Sequence, residues 1–118
     1  MNQKLLEHYR NPYNFGKPEK FDLYGKSSNR TCGDEVEVYI KLGSKEGIIQ
    51  SLHFSIRACA LCKASSSIIA MELEGKSESY VKNLTGAELK EIIGGETPSS
   101  RHSCILLPLE AIQDTLKN

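Results

Sequence analysis

No stretch of this 118-residue chain approaches the roughly 20 consecutive apolar residues that cross a bilayer, and neither sign of charge is in surplus, since 15 basic residues face 15 acidic ones. The first absence excludes a membrane-crossing helix. The second removes the general attraction to nucleic acid or anionic lipid that an excess of Lys and Arg provides. Neither nucleic acid nor a membrane is therefore an expected partner, and recognition must rest on local chemistry. Internal repeats and low-complexity runs are also missing, and Pro and Gly mark turns without forming a linker, so residues 1–118 read as one domain. The opening MNQKLLEHYRNP has no apolar h-region and does not read as a secretion signal, so the expected compartment is the reducing cytoplasm. A hydrophobic share of 39% then places the chain among small globular domains rather than disordered ones.

The charge balance is an average. Six basic residues face three acidic ones over residues 1–31, whereas four basic residues face six acidic ones over residues 59–100. Patches remain available even though the total is zero.

Hydrophobic periodicity sets out the elements. Residues 3–10 suit a short helix that stops at Asn11-Pro12, because the residue before a proline is pushed out of helical conformation. The segment from Asn11 to Thr31 reads as loop, with one short strand around Phe21–Tyr24. Val36, Val38, Ile40 and Leu42 alternate with polar or amphipathic residues, Gly43 to Gly47 is a turn signal, and Leu52, Phe54, Ile56 and Ala58 alternate again. Two strands with that pattern predict an antiparallel hairpin. From about Leu61 the period becomes helical, with Leu61, Ala64, Ile68 and Met71 on one face and Gly75 as the stop. Short helices are expected at Glu78–Asn83 and at Thr85–Ile93, where Thr85 and Glu88 fit a capping box. After a loop at residues 94–100, a last helix carries Ile105, Leu109, Ile112 and Leu116, and it tolerates Pro108 only in its first turn. Strands before helices predict an α+β fold, a small antiparallel sheet of about three strands with helices on one face.

Four cysteines in a reducing compartment are metal ligands or reactive thiols more often than disulfide partners. A hairpin centred near Lys45 pairs residues whose numbers total about 90, which brings Cys32 to the end that holds Ala58 and Cys59. Cys59 lies at a strand-to-helix junction and Cys104 opens the last helix. Thiolates at helix starts are stabilised by unpaired backbone N–H groups and by the helix dipole, so their pKa values are expected to fall. If the last helix packs at the same end, these cysteines form a cluster of soft ligands with Asp34 beside them as a hard oxygen donor. His102 stands two residues from Cys104. Thiolate sulfur suits zinc, copper(I) or iron–sulfur clusters.

Other readings stay open at this point. Taken singly, each cysteine is also a small hydrophobe. Ser65-Ser66-Ser67 reads as a polar face tolerated on a closely packed helix, and His8 and His53 read as solvated. Cys59-Ala-Leu-Cys62 after a strand and opening a helix has the layout of a thioredoxin-like redox pair, although a hairpin stands where a βαβ unit is expected. A closed zinc site of four Cys, or three Cys and a His, is a further rival, although zinc fingers usually show two close pairs and this chain has one.

Over nearly its whole length the chain resembles the iron–sulfur cluster assembly scaffold proteins, the IscU family and the N-terminal domain of NifU. The resemblance is carried by His8-Tyr9-Arg10-Asn11-Pro12-Tyr13-Asn14-Phe15-Gly16, by Cys32-Gly33-Asp34, by Cys59 followed by Ala64-Ser65-Ser66-Ser67, and by Cys104 before the last helix. It implies a SufE/IscU-like fold in which Cys32, Cys59 and Cys104 hold a nascent 2Fe-2S cluster whose lability Asp34 tunes. It also implies a platform rather than an enzyme, which takes sulfur from a cysteine desulfurase and iron from a donor and passes the cluster to carrier or apo-acceptor proteins. A zinc-binding sulfur-acceptor protein of the SufU kind is the alternative within the resemblance, and zinc in purified protein fits either.

This chain departs from the family pattern in four places. Ser103 stands where the IscU branch has a His, and His102 falls one place earlier, about 100 degrees around a helix. The segment through which that branch engages its dedicated chaperone reads here as Thr97-Pro98-Ser99-Ser100-Arg101, so that partner is not expected. The insertion usual before the last cysteine of SufU is missing. Cys62 is extra to both branches, and as a fourth ligand, a resolving thiol or a passenger it has no assigned role.

Overall fold

The computed structural model describes residues 3–29, 33–94 and 102–117, with His102 described for its backbone alone. The elements run α1 (Gln3–Arg10), β1 (Leu23–Asn29), β2 (Asp34–Leu42), β3 (Ile49–Arg57), α2 (Ala60–Leu73), α3 (Glu78–Lys82), α4 (Gly86–Ile93) and α5 (His102–Lys117). The three strands form one antiparallel sheet in the order β1-β2-β3. The α+β architecture with helices on one sheet face is as the alternation predicts.

Val36, Val38, Ile40, Leu52 and Phe54 turn to the helical side and are fully buried. Helix α2 lies on β3, α5 lies on β1 and β2, and α1 and α4 cover α2 from its other sides. The hairpin register pairs Glu35 with Arg57 and Val36 with Ile56, so partners total 92 rather than about 90, and a bulge between Lys41 and Leu42 takes up the difference near the turn. Thr85 caps α4 with both capping-box bonds in place, as its spacing with Glu88 predicts.

Several local expectations are corrected. The first strand is Leu23–Asn29, so it includes Gly25 and the Ser-Ser-Asn stretch that reads as loop. Its existence depends on pairing with β2, and Gly25 is required there because a Cβ would lie 1.7 Å from Thr115 Oγ1 on α5. Met71 is half exposed rather than on the core face. Being surrounded on several sides, α2 buries Cys62, Ala64, Ile68, Ile69, Ala70 and Leu73 and has no single apolar stripe. Pro108 sits well inside α5, not in its first turn. Its ring lacks the N–H that would reach back to the Cys104 carbonyl, while the neighbouring Ile105 carbonyl accepts from Ser65 Oγ at 2.8 Å.

Ser65, Ser66 and Ser67 are completely buried, and each hydroxyl is paired. Ser65 donates to α5, Ser66 donates to the Cys62 carbonyl at 2.8 Å, and Ser67 accepts from the Tyr13 N–H at 2.7 Å. His8 is not merely solvated, because its Nδ1 lies 2.7 Å from Ser67 Oγ. Burial, and then the nearby Lys4, lowers its pKa. A neutral ring can accept a hydrogen bond from the Ser67 hydroxyl while Ser67 accepts from the Tyr13 N–H.

The segment after α1 is latched by Glu74, at the C-terminus of α2. One Glu74 oxygen accepts from the Tyr13 hydroxyl, and the other accepts from Asn14 Nδ2 at 2.7 Å and from the Leu52 N–H at 3.0 Å. Asn14 itself adopts φ 53, a left-handed conformation that Asn tolerates. The latch lays residues 14–16 along β3, with Gly16 N–H donating to the Phe54 carbonyl at 2.8 Å. Residues 75–78 pair with the start of β3 in the same way, through Ile48 and Ser77. Replacing Glu74 by Ala should cost about 3 kcal/mol, because three donors lose a charged acceptor, and Glu74→Gln should lie between the two; urea unfolding of the three proteins checks the order.

Candidate metal centre

The end of the sheet away from the β2–β3 turn collects the chemistry. Asp34 opens β2, Cys59 is the N-cap of α2 with φ −68 and ψ 167, and Cys104 lies in the first turn of α5. Asn29, at the end of β1, pairs with Asp34 across the sheet and donates from Nδ2 to Ser103 Oγ at 3.2 Å, which ties the start of α5 to the same strand ends. One ligand atom each from Asp34, Cys59 and Cys104 lie within 4.8 Å of one another. Asp34 and Cys104 are buried, while Cys59 is half-buried at the rim.

Three of the four principal residues, Asp34, Cys59 and Cys104, are thus brought together. Cys32 lies outside the described residues, as do residues 95–101 and the side chain of His102. Cys62 is near the group without belonging to it: it is fully buried one turn further along α2.

The electrostatics correct one expectation. Rather than falling, the pKa of the Cys104 thiol is pushed up to about 12, first by burial and then by hydrogen bonding to Asp34 and Cys59. Burial and the charges of Asp34, Cys59 and Cys104 push the Cys62 thiol up as well. Desolvation and mutual repulsion outweigh the helix dipole, whose effect is confined to one turn. The second Asp34 oxygen, Oδ2, is buried with no hydrogen-bond partner among the described residues. Neither ion pair among the described residues reaches it, since these join Lys4 to Glu72 and Lys26 to Glu35. The nearest lysine along α2, Lys63, instead lies over the rings of Tyr9 and Phe15, at 5.7 and 5.6 Å from their centroids. A buried acidic group with an orphaned oxygen and two thiols in reach is a donor set that a cation completes. Soft sulfur with one hard oxygen suits iron in a sulfide-bridged cluster or zinc rather than magnesium or calcium.

Sequence reasoning missed the residues that brace α2 against the sheet and against α1. Glu74 carried no signal of its own. Ser67 and His8 lie in motifs that the resemblance quotes, but their mutual hydrogen bond depends on α1 crossing α2, which periodicity does not reveal.

Comparison with known proteins agrees with this picture. The chain is 32% identical over 117 residues to the iron–sulfur cluster assembly scaffold protein IscU of Aquifex aeolicus, covering 99% of this chain and 74% of that one. It is 30% identical over 114 residues to the IscU scaffold protein of Escherichia coli, covering 94% and 87%. The fold matches a NifU-like N-terminal protein from Brucella abortus with a TM-score of 0.79 and 24% identity, over 98% of this chain and 91% of that one. No helix among the described residues is long and apolar enough to cross a membrane. The profile of the NifU-like N terminal domain matches residues 1–118, and the chain belongs to that family.

Proposed function

We propose that the protein is a scaffold on which a nascent 2Fe-2S cluster is built from iron and desulfurase-derived sulfur, then handed to carrier or apo-acceptor proteins. The convergence of Asp34, Cys59 and Cys104 within 4.8 Å carries this reading. Cys32, two places before Asp34 in the chain, is assigned as the third thiolate. Two irons need four protein ligands, and three thiolates leave the fourth place to the Asp34 carboxylate. A hard oxygen on iron is a weak point in a thiolate shell, which suits cargo that must leave. The half-buried Cys59 is the thiol a sulfur donor can reach, and Cys104 is the inner anchor. In this role the protein turns over no substrate, although Cys59 acts as a sulfur acceptor.

The same donors also suit a single tetrahedral zinc ion, since they are close enough to share one centre. That favours zinc as a competitor for the site and keeps the SufU-like sulfur-acceptor role as the second reading.

Anaerobic incubation with ferrous iron, cysteine and a cysteine desulfurase should give visible charge-transfer absorption in the wild type and none in Cys59→Ser; a colourless wild type sinks the proposal. Asp34→Ala should retain the colour but slow cluster transfer to an apo-ferredoxin severalfold, as followed by circular dichroism of the acceptor. Metal capture must also displace the Cys104 proton. Its pKa of about 12 lies far above the working range, so affinity rises as pH rises, by about tenfold per unit for each proton displaced. Zinc competition against a chromophoric chelator from about pH 6 to about pH 8 reads that slope, and a flat profile contradicts the assignment of Cys104.

A further inference from the structure

We propose that Cys62 is a resolving thiol, which attacks a persulfide carried by Cys59, releases its outer sulfur as sulfide and leaves a Cys59–Cys62 disulfide. This rests on the reading of Cys59 as the sulfur acceptor.

Placement supports it. Cys59 is the N-cap of α2 and Cys62 is the third residue of the helix. Side chains at those two positions face each other, and the protein displays the relationship at α4, where Thr85 Oγ1 and Glu88 Oε1 occupy the same two places and lie 3.0 Å apart. One helical turn also separates Cα atoms by a distance that a disulfide spans. Cys59 is half-buried and so open to a donor, whereas Cys62 is fully buried and screened from bulky oxidants. The backbone of Cys62 is fixed by Ser66, whose hydroxyl donates to its carbonyl. Cys62 lies outside the group of converging ligand atoms, so the proposed cluster makes no demand on it.

The reaction balances without a further oxidant. The Cys62 sulfur bonds to Sγ of Cys59, and the bond between that Sγ and the outer sulfur breaks. The outer sulfur leaves with the bonding electron pair and the Cys62 proton, as hydrogen sulfide. The sulfane sulfur is reduced to sulfide and the two cysteines are oxidised to a disulfide, which an external dithiol must reduce before the next round. Sulfide is thereby produced next to Asp34 and Cys104, where iron would be held.

The test supplies sulfur from a cysteine desulfurase and cysteine, without other reductant, and follows intact mass and released sulfide. Wild-type protein should become lighter by two hydrogens, release one equivalent of sulfide and yield a Cys59–Cys62 cross-linked peptide on mapping. Cys62→Ala should remain heavier by one sulfur atom, mapped to Cys59, and release none. The inference is overturned if the wild type keeps the extra sulfur, if the variant releases sulfide as fast, or if no sulfur reaches Cys59 in either. The peptide map needs no variant, so a poorly folded Cys62→Ala does not rescue the idea. Adding ferrous iron and excess dithiothreitol separates the two readings: colour in both proteins supports the scaffold whatever Cys62 does, and no colour in either sinks the scaffold.

Discussion

Close packing around α2 is the constraint on which the site depends. A helix enclosed by a sheet strand, by α5, by α1 and by α4 has little room for large side chains, and Ala64, Ser65, Ser66 and Ser67 provide the slender middle that lets its neighbours approach. Three buried hydroxyls in succession would be costly if unpaired. Here one bonds to α5, one to its own helix and one to the segment after α1, so the polar groups fix the neighbours instead of destabilising the core. With α2 held in this way, Cys59 at its tip has a defined position relative to the start of α5.

Site geometry and site chemistry pull against each other in the metal-free chain. Packing brings a carboxylate and two thiols into mutual contact under low solvation, which is why Cys104 holds its proton so firmly. The Cys104 thiol remains neutral until a cation offers compensation, which protects this inner sulfur against indiscriminate nucleophilic chemistry. Outer Cys59 and inner Cys104 therefore differ in access although they share a centre.

Much of this was legible from residue order. Alternation at Val36, Val38 and Ile40, the capping residues Thr85 and Glu88, and the stop at Asn11-Pro12 are local signals, and local physics decided them. Hairpin symmetry, which needs only a turn and a period, assigned Cys32 to the end that holds Cys59; Asp34, two places on, lies at that end, and Cys32 itself is outside the described residues. What stayed hidden was set by tertiary contact: Gly25 and Ser27 became strand because β2 and α5 lie against them, Met71 faced outward because other sides of α2 were taken, and Pro108 was accommodated inside a helix braced by the sheet. The Cys104 thiol rose for the same reason, since burial is a property of the assembled fold and the helix dipole alone points the other way.

The borrowed pairings along β3 have a wider consequence. Residues 14–16 at its middle and residues 75–78 at its start occupy backbone groups that an edge strand would offer to another chain. Lateral growth of the sheet by strand addition is left to β1, a strand whose alternate positions are exposed and carry Tyr24, Lys26 and Ser28. A charged lysine at such an edge discourages fibrillar stacking. The flank of the sheet thereby gains colloidal restraint without any demand on the cysteine end.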